Sequence, residues 1–366
     1  MAARADADAL VRRAVASRRV INLGGGLPAD AQFPRRELAR SFRRVLSQRG
    51  SRALQYGWPE GLASLRARLA HRLSARMGRA LAADEVIVTS GAQQAIALAV
   101  QLVSKPGDTI GVQSETYPAA LELFRSRGLR LGRLGEGRVS YVLPALGNPT
   151  GQALSPIDRE LVLGREGWII EDDAYADLGF AGPPPAPWLA GHRSRVLHVG
   201  TLSKTLCPGL RVGWLVVPSR LRRRAILLKQ DDDLQSNGLG QAVVDDYLGH
   251  TDFEARLARL AIYYRRRAAR LFAAVRRSLP SWSVAFPRGG FSLWLEADAR
   301  VDEGALLAAA VAEGVCFDLG GPFQAFAGRA APTRLRVCYS AAPPTAFEEG
   351  VRRLARAWSR VSRKSR

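Results

Sequence analysis

Between Gly200 and Arg211 the chain reads Gly-Thr-Leu-Ser-Lys-Thr-Leu-Cys-Pro-Gly-Leu-Arg, which sets Lys204 among hydroxyls and glycines. Apolar runs flank the segment at 195–200 and 212–217. A lysine held between buried strands has little water around its ammonium. Burial lowers the ammonium pKa toward the free amine, the form that condenses with carbonyls. The alternative reading is a loop whose lysine reaches solvent.

A second segment, Ile169-Ile170-Glu171-Asp172-Asp173-Ala174-Tyr175, puts a carboxylate at the carboxyl end of an expected core strand. Open α/β sheets bind ligands at that end. A helix N-cap or a metal carboxylate is an equal reading of these residues. A third, Ser90-Gly91-Ala92-Gln93-Gln94, joins a strand to a helix, where free backbone N–H groups and the helix dipole suit a phosphate. It lacks a P-loop lysine and is not GxGxxG, so nucleotide binding is not indicated, and a plain turn remains the alternative. A fourth, Gly147-Asn148-Pro149-Thr150-Gly151, follows a strand; a cis bond before Pro149 would fix the direction of Asn148, and a plain turn is again the alternative.

These segments need a scaffold. Leu62, Leu65, Leu69 and Leu73 line one face of a helix, and AQQAIALAVQLV after Gly91 reads as another. Short runs at 86–89, 109–113, 139–143, 167–171, 195–200 and 212–217 are apolar throughout, as strands covered on both faces are. Their spatial order is not in their spacing. Residues 219–279 turn helical, and Arg265-Arg266-Arg267 within them reads as a solvated helix face. Beyond Pro280, strands at 282–286, 291–296 and 334–339 alternate with helices at 302–313 and 344–360, as in a small α+β domain.

The 366 residues (39.7 kDa) leave room for one large domain and a smaller one, and a composition 47% hydrophobic and 24% charged excludes disorder. A net charge of +21 would ordinarily raise nucleic acid as a partner. Only Lys105, Lys204, Lys229 and Lys364 are lysines among 54 basic residues, and the arginines are spread along the chain. No nucleic-acid or membrane partner is expected. Cys207, Cys316 and Cys338 form no CxxC, so neither a disulfide framework nor a metal site is expected, and a cytoplasmic location fits. Residues 1–20 lack the apolar run of a signal peptide and read as an amphipathic entry helix.

Taken together, the segments resemble the fold-type I, pyridoxal-phosphate-dependent aminotransferases of class I/II, closest to the branch of 2-aminoadipate aminotransferase-like enzymes and the catalytic half of MocR-type regulators. The resemblance runs from about Ile21 to Ala357. It includes Asn22 through Pro28, Leu54-Gln55-Tyr56-Gly57, Glu115-Thr116-Tyr117-Pro118 and Leu335-Arg336-Val337 besides the segments above, in family order and spacing. It implies an α/β fold: a mostly parallel sheet sandwiched by helices (46–275), a smaller α+β domain (276–366), and an arm with a small-domain segment (1–45).

The resemblance also implies roles. Lys204 would form the imine with pyridoxal 5'-phosphate and carry the proton at the substrate α-carbon. Asp172 would pair with the pyridine nitrogen, and Asn148 and Tyr175 would bond the ring oxygen. Tyr117 would stack on the ring, while the Gly91, Ala92 and Gln93 amides, Thr201, Ser203 and Arg211 would hold the phosphate. Tyr56 would reach the phosphate of the opposite subunit in a homodimer. Arg336, Asn148 and the backbone near Gly26 would hold the α-carboxylate. The implied reaction moves an amino group from an amino acid to a 2-oxo acid. Elimination, oxidation or cyclisation at the same cofactor, and a non-catalytic ligand sensor, are the alternatives.

Three departures stand out. About twenty residues precede Asn22, so no DNA-binding domain is expected. Leu129 to Tyr141 is short where relatives insert a strand, a loop and a helical turn. Ala92 and Thr201 stand where a hydroxyl and a serine are common.

Overall fold

The computed structural model describes residues 20–326, 328 and 331–363. The entry helix expected over residues 1–20 lies outside them, except for Val20. In chain order the elements are β1 (Ile21–Asn22), α1 (Arg35–Arg49), α2 (Ala63–Met77), β2 (Val86–Thr89), α3 (Ala92–Val103), β3 (Thr109–Val112), α4 (Pro118–Ser126), β4 (Arg130–Arg133) and β5 (Val139–Val142). There follow α5 (Pro156–Leu163), β6 (Trp168–Asp172), α6 (Leu189–His192), β7 (Val196–Thr201), β8 (Gly213–Val216), α7 (Ser219–Asp233), α8 (Gly238–His250) and α9 (Phe253–Ser278). The chain closes with β9 (Ser283–Val284), β10 (Ser292–Glu296), α10 (Glu303–Ala312), β11 (Val315–Cys316), β12 (Asp318–Leu319), β13 (Arg334–Cys338) and α11 (Phe347–Ser362).

Seven strands form one sheet in the order β2-β8-β7-β6-β5-β3-β4. Only β8 runs against its neighbours. In the central strands alternate residues enter two different cores, one on each face: Val86 and Val88 against Ile87, Ile169 against Ile170, Val196 against Leu197. This two-sided burial is why the strands are apolar throughout. A second sheet, β12-β13-β10-β9, is antiparallel, and β1 pairs with β11 beside it. Its cover includes α9 and α11, whose Leu271, Val275, Leu354 and Ala357 share a core with Leu293 and Val337.

The helix α1 docks on α8 through Val45, Ala242 and Val243. Arg44 pairs with Asp246 at 2.6 Å, and Arg49 and Arg68 pair with Asp245 at 2.8 and 3.0 Å. The boundaries expected at 45 and 275 both fall inside helices, α1 and α9.

Two local readings are corrected. Arg265 and Arg266 do face solvent, but Arg267 is only 6% exposed and donates to the carbonyls of Tyr339 (2.6 Å) and Ala342. Its fork ties α9 to the end of β13, so the run is not one solvated face. The short 129–141 segment holds a strand, β4, and the connection onward to β5 crosses β3 directly over Gly111. A Cβ on Gly111 would lie 2.9 Å from the carbonyl oxygens of Arg133 and Glu136, so a residue without a side chain admits the crossing.

Candidate active site

Because β8 is antiparallel to both β2 and β7, the carboxyl ends of β2, β3, β5, β6 and β7 open at one edge of the sheet. The expected cofactor residues from Gly91 to Ser203 follow those ends. Asp172 is the last residue of β6 and is 5% exposed. Its Oδ2 accepts the Tyr141 hydroxyl at 2.6 Å and its Oδ1 the Ala174 N–H at 3.1 Å. Burial pushes its pKa up, and these two donors offset that only in part.

The neighbouring acids are committed elsewhere. Glu171 accepts the N–H groups of Trp188 (2.7 Å) and Leu189 (3.2 Å) and faces His198 Nδ1 at 3.1 Å. Asp173 pairs with Arg76 at 2.8 Å. Asp172 is therefore the acid of this segment with no basic side chain in hydrogen-bond contact.

Lys204 lies in the turn after β7, half-buried, with its Nζ 5.4 Å from the centre of the Tyr175 ring. Tyr175 packs edge-on against Phe291 at 5.6 Å. Tyr117 immediately precedes α4. Its hydroxyl is pushed up to about 12, first by burial, then by the charges of Asp172 and Tyr175, against the opposing pull of Arg336 and Arg211. That shared field places Tyr117 among four of the other expected site residues.

The Asn148–Pro149 bond is cis. Asn148 Oδ1 accepts from Arg336 Nη1 at 2.9 Å, which turns the Asn148 amide donors away from Arg336. Arg336 stands on β13, so this contact brings the small sheet to the edge of the large one. A Cβ on Gly26 (φ +56°) would lie 3.4 Å from both Arg336 Nη1 and Nη2.

The expected phosphate cradle lies where β2 meets α3. The first N–H groups of a helix have no intrahelical partner, and here they belong to Ala92 and Gln93. Arg211, in the left-handed region (φ 54°), folds across this turn and donates from Nη2 to the Ser90 carbonyl at 2.7 Å. A Cβ on Gly91 would sit 2.6 Å from that Nη2 and would be strained at φ +96°, so a side chain here would displace the guanidinium and strain the turn. Thr201 Oγ1 accepts the Ser203 N–H at 3.1 Å and lies 3.1 Å from the Val212 carbonyl oxygen. Thr201 Oγ1 also lies 3.0 Å from Ser203 Oγ, so the two hydroxyls are linked to each other within the turn.

These groups fit pyridoxal phosphate on the chemistry of the donors alone. A dianionic phosphate finds helix N–H groups and a guanidinium, a pyridinium finds the unmatched Asp172 carboxylate, and an aldehyde finds Lys204. Tyr56 stays apart from the cluster, 73% exposed beside Trp58 at 75%, on the rim of a cavity of about 560 Å³ lined also by Arg52, Gln235 and Gln241.

Sequence reasoning missed three partners: Tyr141, which holds Asp172; Asp318, which holds Arg336 at 2.8 Å; and Phe323, whose ring lies 4.6 Å from the Arg336 guanidinium. The available signals were a phenol inside an apolar strand and one acid in Val-Cys-Phe-Asp-Leu.

Comparison with known proteins agrees with this geometry. The family model for aminotransferase class I and II matches residues 18–134 and 140–354. The interruption falls in the connection that crosses β3. The 2-aminoadipate transaminase of Thermus thermophilus is 32% identical over 92% of this chain and 90% of its own. Aromatic-amino-acid aminotransferase 1 of Thermococcus litoralis is 30% identical over 92% and 87%. Among solved structures, the alpha-aminoadipate aminotransferase LysN of Thermus thermophilus, complexed with N-(5'-phosphopyridoxyl)-L-leucine, superposes with a TM-score of 0.87 at 30% identity, covering 97% of this chain and 95% of that one. A match of this extent, over a sheet edge that gathers an amine, an unmatched acid and an anion cradle, means that the chain belongs to the aminotransferases of class I and II.

Proposed function

We propose that the cluster at the carboxyl edge of the sheet holds pyridoxal 5'-phosphate, with Gly91, Ala92, Gln93, Ser203, Thr201 and Arg211 at its phosphate. The chain is a pyridoxal-phosphate-dependent aminotransferase that moves an amino group from an amino acid to a 2-oxo acid. The observation that carries the site assignment is Asp172, a buried carboxylate met only by neutral donors. When bound, the cofactor supplies an aldehyde carbon and a protonated ring that draws electrons from the substrate α-carbon.

The chain's own residues do the rest. Asp172 would keep the ring nitrogen protonated. Tyr141 and the Ala174 N–H aim its two oxygens. Lys204 would hold the cofactor covalently through Nζ, and its free amine would accept the proton that leaves the substrate Cα. Asn148 and Tyr175 would bond the ring oxygen, and Tyr117 would cover the ring face. Arg336 binds the α-carboxylate with its planar fork, beside Gly26.

The working unit is a cytoplasmic homodimer in which Tyr56 reaches the partner's phosphate. The exposure of Leu54, Tyr56 and Trp58 on one loop supports this. Among the described residues no helix is long and apolar enough to cross a membrane. The sheets support a division into a large domain (46–275), a small one (276–366) and an arm with a small-domain segment (1–45).

Borohydride reduction of the holoenzyme followed by peptide mass spectrometry tests the assignment. The cofactor mass is expected on the peptide containing Lys204, and Lys204→Ala should bind cofactor without that covalent link. Attachment at another residue would refute it.

A further inference from the structure

We propose that Asp318 is a positioning residue that fixes the direction and the charge of the substrate-carboxylate site. The proposal rests on the reading of Arg336 given above. A planar guanidinium offers three edges and two faces. Asp318 Oδ2 occupies the Nε–Nη2 edge, at 2.9 Å from Nε and 2.8 Å from Nη2. Asn148 Oδ1 takes one N–H of Nη1, and the Phe323 ring covers one face. Among the described residues no hydrogen-bond acceptor spans the remaining edge, between Nη1 and Nη2; the Cβ that Gly26 lacks would lie 3.4 Å from both nitrogens and 3.5 Å from Cζ, over a face of the guanidinium, so glycine leaves the space beside that edge open. An incoming carboxylate therefore meets two parallel N–H bonds at that edge.

Asp318 is itself held. Both of its oxygens lie 3.0 Å from the Gly25 N–H. Burial pushes the Cys338 thiol up to about 12, so it faces Asp318 Oδ2 as a neutral S–H donor at 3.8 Å. The Gly24–Gly26 loop, the acid and the arginine thus form one unit that carries no net charge. Such a unit recognises a carboxylate by direction, through a bidentate fork, and attracts free inorganic anions only weakly. The substrate class is an amine whose amino-bearing carbon also carries a single carboxylate.

The test compares wild type with Asp318→Asn and Asp318→Ala as holoenzymes. The amino acid that reacts fastest in a panel is used alongside the amine that is its decarboxylated form, with sulfate as the competing anion. For the amino acid, Asp318→Ala should raise KM about tenfold with kcat within about twofold, and Asp318→Asn, which keeps one acceptor oxygen, should raise it less. Inhibition by sulfate should strengthen in both variants, because Arg336 is no longer neutralised. Conversion of the amine and the absorbance of the bound cofactor should not change. An unchanged or lowered KM for the amino acid overturns the proposal. So does loss of amine conversion, which would mean that Asp318 acts on the substrate amine. A wild type that converts the amine as readily as the amino acid overturns the reading of Arg336 itself.

Discussion

Burying the Asp172 carboxylate with neutral donors alone destabilises the cofactor-free protein, and the sign of the effect can be measured. Its folded pKa lies above the ordinary 3.8, so over the interval between those two values the unfolded chain holds fewer protons than the folded one. Stability from this group therefore falls as pH rises through that interval, and the full penalty is present above it. Asp172→Asn removes the charge, and an amide can still accept from Ala174 and pair with Tyr141. The cofactor-free variant should melt a few degrees above cofactor-free wild type near neutral pH, with the gap closing toward about pH 4. The loaded variant should lose roughly a hundredfold or more in kcat. Calorimetry and steady-state rates check the two arms, and a variant that melts lower and turns over normally would remove Asp172 from its place. At this scale Lys204, Asp172 and Arg336 stood out in the sequence through the resemblance of their segments to the family, since each segment alone kept other readings open. Tyr141 and Asp318 were not. Their partners lie 31 and 18 residues away, and only the pairing of β5 with β6 and of β12 with β13 brings them into contact.

The turn between β2 and α3 shows what an element contributes. Gly91 lets the chain enter the helix at a positive φ and leaves space for Arg211, so the helix N–H groups and the guanidinium face one point. Gly91→Ala should keep the sheet intact, because the strained residue sits outside it. It should raise the cofactor dissociation constant by about tenfold, the scale of a strained backbone plus a displaced arginine. Titration of cofactor-free protein by absorbance measures this, and unchanged affinity would mean that the phosphate lies elsewhere. The buried strands were legible within about a residue at each end, because both of their faces are covered. The edge strand β4 was not: Arg130-Leu131-Gly132-Arg133 has charged ends and a glycine, so its place in the sheet comes from pairing with β3 alone. Helix α1 was missed for a related reason. Its sequence carries many arginines, and only Ser41 and Val45 are buried.

Across the whole molecule, the arginine excess is largely surface chemistry. Arg352, Arg353, Arg356 and Arg360 of α11 pair with Glu349 and Glu313 on and beside that helix, in exposed contacts of small individual worth. The exposed Tyr56 loop is a different matter, because in the proposed homodimer it would reach the site of the second copy. Mixing a Tyr56→Phe variant with Lys204→Ala should restore more activity than either gives alone, since a hybrid dimer then has one site with both groups intact. No gain on mixing would place Tyr56 outside the partner's site. The central claim, that this sheet edge transfers an amino group, is tested most directly by a single half-reaction. Stoichiometric holoenzyme is mixed with each amino acid of a panel, without any 2-oxo acid, and followed by absorbance and mass spectrometry. The account predicts that at least one amino acid converts the bound pyridoxal phosphate to pyridoxamine phosphate and releases one equivalent of its own 2-oxo acid. An amino acid consumed while the cofactor stays as pyridoxal phosphate and no matching 2-oxo acid appears would contradict it.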